Sequence, residues 1–165
     1  MALGIKEIKK VPQPHVTTLY ENFQNGVRIS GDRPCLGHRP GPKDPYVTET
    51  YNEVNKRIKN FGSGLYHLGV KEQQRIGFYA KNCRGWVIGA EACNAYSLVS
   101  VAIYDTLGEE NREYIVNQSD IRGIVSTGNL LKNICALSKS CPNLKLVFLF
   151  LTVVKKKQTN SLLFN

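Results

Sequence analysis

Apolar residues recur every three or four positions between Thr50 and Gly69, and this spacing predicts an amphipathic helix. The helix is expected to begin at Thr50, because the Thr50 hydroxyl and the Glu53 side chain can satisfy each other's backbone amides as a capping box. It is expected to end at Gly69. The positions that form its predicted apolar face are Tyr51, Val54, Ile58, Phe61, Leu65 and Leu68.

A second capping box, Thr18-Leu19-Tyr20-Glu21, predicts a shorter helix nearer the amino terminus. Asn25-Gly26 tolerates left-handed backbone and is expected to stop this helix. From Ser30 to Pro45 the chain is dense in Gly and Pro, so a loop is predicted there, with a short strand around residues 35–38. The positions on the apolar side of the short helix are Leu19, Phe23 and Val27.

Beyond Gly69 the pattern alternates between short apolar runs and helical spacing, which predicts alternating strands and helices. The predicted strands are residues 75–80, 99–104, 123–126 and 144–151. The first intervening helix should bury Trp86, Val87, Ala90, Cys93 and Ser97. A third capping box at 106–109 predicts a helix through Gln118 with Tyr114 and Ile115 inward, and a last helix is expected at 130–137. This order favours an α/β fold with a parallel sheet and flanking helices.

The glycines of Gly62-Ser63-Gly64 resemble part of a nucleotide-binding loop, but their context argues against that role. A dinucleotide-binding loop follows a strand and opens a helix, whereas these glycines lie near the end of a predicted helix. We therefore interpret them as positions of close packing against a neighbouring element.

The net charge of +9 over 165 residues raises the possibility of a nucleic-acid partner, so the distribution of charge matters. Residues 61–140 are nearly neutral, with eight Lys or Arg against seven Asp or Glu. The excess lies at the two ends, and the only dense cluster is Lys155-Lys156-Lys157. Such a run is typical of a solvated tail, and we predict no nucleic-acid binding.

Neither a membrane span nor a secretion signal is predicted. The longest apolar run, residues 144–154, is shorter than the roughly 20 residues that a transmembrane helix needs. The first ten residues mix Ile with Lys and contain no apolar signal core. A cytoplasmic location is expected, with peripheral membrane contact as an open alternative.

The cysteines and histidines are interpreted as structural residues. Five cysteines without a C-x-x-C pair, and three well separated histidines, support neither a zinc cluster nor a disulfide framework. Cys93 falls at an apolar helical position, where a buried thiol acting as a small hydrophobe is expected.

Several blocks of the chain resemble the long-chain fatty-acid CoA ligases of the adenylate-forming superfamily. The most specific is Tyr104-Asp105-Thr106-Leu107-Gly108, and the similarity covers roughly residues 16–150. The other blocks are Pro34-Cys35-Leu36-Gly37-His38-Arg39, Thr50-Tyr51-Asn52-Glu53-Val54, Phe61-Gly62-Ser63-Gly64-Leu65, Ile76-Gly77-Phe78-Tyr79-Ala80-Lys81-Asn82, Ala92-Cys93-Asn94-Ala95-Tyr96-Ser97 and Tyr114-Ile115-Val116-Asn117.

For a complete relative, the resemblance implies a two-step ligation that uses ATP, Mg²⁺ and coenzyme A. A fatty carboxylate attacks the α-phosphate of ATP, and the thiol of coenzyme A then displaces AMP from the acyl-adenylate. The family's phosphate loop has no counterpart in residues 1–165, since Ser126-Thr127-Gly128-Asn129 lacks the required length and lysine. The sequence also contains no match to the family's adenine, magnesium and ribose segments or to its catalytic lysine. We therefore assign no catalytic, cofactor-binding or metal-binding residue, and we expect this chain to bind no cofactor by itself.

Asp105 is the one residue that invites a functional interpretation. An acid at the carboxyl end of a parallel strand lies where open α/β sheets place ligands. No partner acid, base or phosphate loop accompanies it in the sequence, so a loop-capping role is favoured.

The chain is predicted to comprise an extension at residues 1–15, an incomplete AMP-binding domain at 16–151 and a basic tail at 152–165. The leading interpretation is a truncated long-chain fatty-acid CoA ligase that is inactive alone and self-associates through its exposed sheet. A non-catalytic binding or regulatory module derived from such a ligase is the alternative. The tail has no acid and no family motif, and translation of a retained intron or a shifted frame would give such a composition.

Overall fold

The computed structural model describes residues 13–150, so most of the predicted extension and all of the predicted tail lie outside the described residues. Capping, periodicity and turn residues together define eleven helices and strands within that range. In chain order they are α1 Leu19–Ser30, β1 Pro34–His38, β2 Val47–Thr50, α2 Tyr51–His67, β3 Arg75–Tyr79, α3 Arg84–Ala95, β4 Val99–Ala102, α4 Glu109–Gln118, β5 Ile121–Thr127, α5 Leu131–Ser140 and β6 Leu146–Phe150.

Two of the three predicted capping boxes form. The Thr18 and Thr50 hydroxyls accept hydrogen bonds from the Glu21 and Glu53 amides at 3.1 and 3.2 Å, and both glutamates return the bond. The predicted stop of α1 at residues 25–26 is wrong, because the helix continues to Ser30. It ends at Gly31, which has a φ of 24°. A residue with a side chain would be strained at this backbone angle.

The third predicted capping box is wrong. Gly108 is the N-cap of α4 and offers no side chain, so the first turn of this helix has no side-chain cap. The predicted inward position of Tyr114 is also wrong, since this side chain is 66% exposed. Ile115 does pack against the core as predicted, and Val116 is buried beside it.

The central sheet has the strand order β4-β3-β5-β6, and every neighbouring pair is parallel. This arrangement confirms the predicted α/β fold with a parallel sheet and flanking helices. A separate antiparallel hairpin joins β1 to β2. The sequence pattern indicated β1 but not β2, whose four residues include no buried one and carry no apolar alternation.

The two faces of the sheet are covered by different helices. Successive side chains of a strand point to opposite faces. Phe78 therefore faces the apolar layer that includes Leu65 of α2 and Cys93 of α3, whereas the next residue, Tyr79, faces the layer that includes Val116 of α4 and Ile134 of α5. Helix α1 lies outside the sheet and contacts α2 and α3.

Helix α3 approaches the sheet through two glycines. A Cβ atom built on Gly89 would lie 2.6 Å from Cε1 of Phe78, and one on Gly85 would lie 2.6 Å from Cγ of Phe150. The face predicted for this helix is therefore partly wrong. Val87 is 40% exposed, and Ser97 lies beyond the end of the helix, whereas Cys93 is buried as predicted.

The segment Gly62-Ser63-Gly64 lies inside α2, as predicted, and forms no ligand-binding loop. Gly62 is buried against Tyr96, and a Cβ atom on Gly62 would lie 2.2 Å from Cε2 of that ring. The Tyr96 hydroxyl is 2.7 Å from the Ser63 hydroxyl. Gly62 is therefore a packing position.

Strand β6 is one of the two outer strands of the sheet, and one of its faces is incompletely covered. Leu146, Phe148 and Phe150 pack against the layer of α2 and α3. Val147 and Leu149 point to the opposite face and remain 43% and 39% exposed.

An ion cluster attaches the hairpin to the helices. Glu49 of β2 accepts from Nη1 of Arg57 on α2 and from Nη1 of Arg84 on α3, each at 2.6 Å. Arg84 also lies 3.2 Å from Nδ1 of His38 on β1. The Glu49 side chain is only 16% exposed, so both ion pairs are partly protected from solvent.

Replacing Glu49 with Gln is expected to lower the free energy of unfolding by about 1–2 kcal/mol, because two arginines lose their anionic partner. Urea unfolding followed by circular dichroism measures the change. Glu72→Gln is the matched control, since Glu72 is exposed in the turn before β3 and accepts no hydrogen bond among residues 13–150. Equal stability of the two variants would show that the ion cluster does not hold the hairpin.

Candidate functional site

The carboxyl edge of the parallel sheet is the place where an α/β fold of this type brings chemistry-bearing loops together. Here β3 ends at Tyr79, β4 leads into the loop 103–108 and β5 ends at Thr127. The sequence analysis placed Asp105 at this edge, and the structure confirms that position.

Tyr79 is the centre of a buried polar cluster at this edge. The side chain is fully buried, and its hydroxyl accepts a hydrogen bond from Nδ2 of Asn133 on α5 at 2.9 Å. The buried Ser126 hydroxyl at the end of β5 donates to the Tyr79 carbonyl oxygen at 2.5 Å. The cluster therefore ties β3 to β5 and to the start of α5.

Arg112 of α4 also contacts this cluster, next to the ring of Tyr79. Its guanidinium carbon lies 5.7 Å from the centroid of the Tyr79 ring, and Nη1 donates to the Leu107 carbonyl oxygen. The Nε atom is buried and has no hydrogen-bond partner among the described residues. Arg112 thus links the loop before α4 to the central strand.

Asp105 is not part of the cluster. Its side chain is half-buried in the loop after β4, and within residues 13–150 it accepts no hydrogen bond and forms no ion pair. The loop turns through a backbone hydrogen bond from Leu107 to the Tyr104 carbonyl oxygen at 3.2 Å. The structure therefore does not support the loop-capping role that the sequence analysis favoured for Asp105.

The segment Ser126-Thr127-Gly128-Asn129 forms the junction between β5 and α5 through a single 3-10 turn at Gly128–Leu130. A Cβ atom on Gly128 would meet nothing within 4 Å, so no close backbone approach explains this glycine. The turn contains no lysine and is too short to surround a phosphate chain. The residues present at this junction do not fit ATP.

The acidic, cysteine and histidine side chains of the described residues are dispersed. Nowhere in residues 13–150 do three or more His, Cys, Asp or Glu side chains converge on a common point. A Mg²⁺ site needs oxygen ligands in octahedral order. We derive no catalytic step through ATP or Mg²⁺ from this part of the chain.

Three of the five cysteines behave as packing residues in the structure, whereas Cys135 is exposed. Cys93 is fully buried, and burial raises the pKa of its thiol to about 12. Burial also raises the pKa of Cys35 and Cys141. Since the thiolate is the reactive form, these three positions are unsuited to nucleophilic chemistry at neutral pH.

A shallow pocket of about 500 Å³ lies outside this edge, on the exposed side of α4, and is lined by Glu110, Glu113, Tyr114, Asn117 and Gln118. Its only charged groups are carboxylates, which repel phosphates and fatty carboxylates alike. Within residues 13–150, no helix is long and apolar enough to span a bilayer.

Sequence reasoning missed Arg112 and Asn133. Both lie on helices that the sequence analysis predicted, but a polar residue in an amphipathic helix is normally assigned to the solvent side. The signal that could have found them is Tyr79, because a buried tyrosine hydroxyl usually requires a hydrogen-bond partner. The resulting arrangement orients loops and contains no pair of a nucleophile and a base.

Curated relatives resemble this chain over its central part. It is 44% identical over 110 residues to Long-chain-fatty-acid–CoA ligase 5 of Mus musculus, which covers 66% of this chain and 16% of the mouse protein. It is 42% identical over 138 residues to Long-chain-fatty-acid–CoA ligase 6 of Rattus norvegicus, which covers 80% of this chain and 20% of the rat protein. The chain thus spans a fifth or less of the length of these relatives.

Solved structures confirm the fold. The crystal structure of a putative long-chain-fatty-acid CoA ligase from Rhodopseudomonas palustris superposes with a TM-score of 0.73 at 16% identity. The match covers 85% of this chain and 34% of that one. The family of AMP-binding enzymes matches residues 23–162, which is most of the sequence. These matches confirm the resemblance inferred from the motifs, and the chain belongs to the family of AMP-binding enzymes.

Proposed function

We propose that residues 13–150 form the first sheet unit of a long-chain fatty-acid CoA ligase, and that this unit has no ligase activity when separated from the rest of such an enzyme. In the complete enzyme, ATP with Mg²⁺ would activate a fatty acid as an acyl-adenylate, and coenzyme A would then take the acyl group. The observation that carries the proposal is the identity of 42–44% to the mouse and rat ligases.

The polar cluster around Tyr79 supports a scaffolding role for this unit. The Asn133 amide donates to the Tyr79 hydroxyl and the Ser126 hydroxyl donates to the Tyr79 carbonyl oxygen, so these polar groups hold β3, β5 and α5 together. Phosphoryl chemistry requires fixed cations and amides around the developing charge. Arg112, the cation nearest the cluster, instead donates to the Leu107 carbonyl.

The purified 165-residue chain is expected to catalyse no fatty-acid-dependent exchange between ATP and pyrophosphate. The reason is that neither the β5–α5 junction nor Asp105 brings a phosphate-binding or metal-binding set together. The mouse ligase serves as the positive control, and a tag-only preparation sets the background. Exchange above background that is lost in Asp105→Ala would contradict the proposal and make the loop after β4 an active site.

The isolated chain is also expected to self-associate through the free edge of its sheet. Strand β4 is an outer strand with no charged side chain, and its Val99 is 39% exposed. An edge of this kind is a template for pairing with another strand. Light scattering after size exclusion should give a mass that rises with concentration, and Ser100→Lys should lower it. Ser138→Lys adds the same charge on α5, and it should leave the mass unchanged; a monomeric unmodified chain would contradict the prediction.

A further inference from the structure

The loop between β4 and α4 carries side chains that the described part of the chain does not use. The Tyr104 ring is 64% exposed. The Asp105 carboxylate is half-buried, and within residues 13–150 it has no hydrogen-bond donor or cation as a partner. A Cβ atom built on Gly108 would meet nothing within 4 Å. Packing inside the domain therefore does not explain the composition of this loop.

Hydrogen bonds nevertheless hold the same loop in one conformation. The Leu107 amide donates to the Tyr104 carbonyl oxygen at 3.2 Å, and the Arg112 amide donates to the Gly108 carbonyl oxygen at 3.1 Å. The side chain of Arg112 adds a third bond, from Nη1 to the Leu107 carbonyl oxygen. Together these three bonds restrain the backbone from Tyr104 to the first turn of α4.

Arg112 makes its contact with the loop at an electrostatic cost. The guanidinium lies beside the Tyr79 ring, and the Nε atom is buried without an acceptor. Glu109 and Glu113 are close to Arg112 in sequence, but within residues 13–150 the arginine forms no ion pair with any carboxylate. A partly buried charge without a counter-charge opposes folding. Violations of this kind are typical of functional positions, where another requirement outweighs stability.

We propose that Arg112 is a positioning residue for the complete ligase and acts through Asp105. It holds the loop that carries Asp105 at the carboxyl edge of the sheet, where open α/β folds bind their ligands. The carboxylate then pairs with a hydrogen-bond donor that lies outside residues 13–150. The positioning role rests on the proposed function, because the chain spans 20% or less of the mouse and rat ligases and the rest of such an enzyme supplies the donor.

Arginine suits this task better than lysine does. The planar guanidinium stacks beside a ring and directs a donor toward a carbonyl oxygen at the same time. The ammonium group of lysine is a compact charge on a flexible stem, and it has no plane to stack. Arg112→Lys therefore preserves the charge and loses the geometry, so this variant separates orientation from charge.

Amide hydrogen exchange in the 165-residue chain tests whether Arg112 holds the loop. Arg112→Ala is expected to speed exchange of the Leu107 amide by about tenfold or more, and by a much larger factor than that of Val125 in the middle of the sheet. Arg112→Lys should give most of this acceleration. Arg122→Ala removes an exposed arginine from β5 and should leave the Leu107 amide unchanged. Equal acceleration at Leu107 and Val125 in Arg112→Ala would mean that Arg112 only stabilises the domain, and it would overturn the proposal.

A chimeric enzyme tests whether the held loop matters for ligation. Residues 13–150 replace the matching segment of the rat ligase, and ligation of a long-chain fatty acid to coenzyme A is measured. The chimera with Arg112 in place is expected to be active. An inactive chimera would count against the proposed function, and the exchange rates of the 165-residue chain would then decide the positioning role.

Variants of the active chimera connect Arg112 to Asp105. Arg112→Ala and Asp105→Asn are each expected to lower kcat/KM by about tenfold or more, while circular dichroism shows a native spectrum. If Arg112 acts through Asp105, the double variant should lose little more than either single variant. Arg122→Ala should keep full activity. Losses that multiply in the double variant, or an Arg112→Ala chimera with full activity, would overturn the proposal.

Discussion

Gly89→Ala is expected to lower the free energy of unfolding by about 2–3 kcal/mol, although alanine favours helix more than glycine does. The added methyl group would lie 2.6 Å from Cε1 of Phe78, closer than real contacts allow. Phe78 is 1% exposed and its ring lies 5.5 Å from that of Trp86, so it cannot move away cheaply. Helix α3 must instead withdraw from the sheet.

Gly64→Ala in α2 is the matched control for this substitution. A Cβ atom on Gly64 would meet nothing within 4 Å, so only the helix propensity changes. This variant is expected to gain up to about 1 kcal/mol. Urea unfolding with a common slope gives both values. A Gly89→Ala variant as stable as the unmodified chain would show that α3 and β3 do not require the close approach.

Tyr79→Ala is expected to cost about 3–5 kcal/mol, which is typical of removing a fully buried aromatic ring. The substitution empties the space between β3, α4 and α5 and leaves the Asn133 amide without its acceptor. On a domain of this size such a loss is a large part of the total stability. Urea unfolding of this variant is therefore expected to show a midpoint well below that of the unmodified chain.

Tyr79→Phe separates the polar contribution from the packing of the ring. It removes only the hydroxyl, and we expect a loss of about 1 kcal/mol. Combining it with Asn133→Ala in a double-mutant cycle should give a loss smaller than the sum of the single losses. Strict additivity would show that the hydrogen bond between these residues contributes nothing.

The order of elements was predictable because the sequence changes its period where the backbone changes its structure. Apolar runs around Ile76 and Ile124 mark strands that are buried on both faces, and each is followed by a helical pattern. The capping boxes at Thr18 and Thr50 also located their helices correctly. The first helix nevertheless extends beyond its predicted end, because contacts with α2 and α3 stabilise it past the weak stop signal at residues 25–26.

Side-chain direction was harder to predict than the presence of a helix. In α3 the buried positions include Gly85 and Gly89, which carry no hydrophobic signal, so the apolar pattern pointed to Val87 instead. At α4 the motif of a capping box was present, but the helix begins at Glu109, so Gly108 and not Thr106 is the N-cap. Both errors depend on packing against the sheet, which local patterns do not contain.

The position of the candidate site could be predicted from the sequence, but the residues that form its polar cluster could not. The carboxyl edge of a parallel sheet follows from topology, and Asp105 lies there. The cluster itself joins Tyr79, Arg112 and Asn133 from three elements up to 54 residues apart. No short motif can encode such a separation.

The strand order β4-β3-β5-β6 also describes how the sheet can grow during synthesis. The first strand of the sheet to leave the ribosome, β3, becomes an inner strand, and β4 and β5 then emerge in turn to occupy its two sides. Strand β6 follows last and pairs with β5. Each new strand can therefore pair with a strand that has already emerged. No pair of strands in this sheet has to separate so that a later strand can insert between them. For a chain that emerges at about 5–20 residues per second, the unit can assemble in the order in which it is translated.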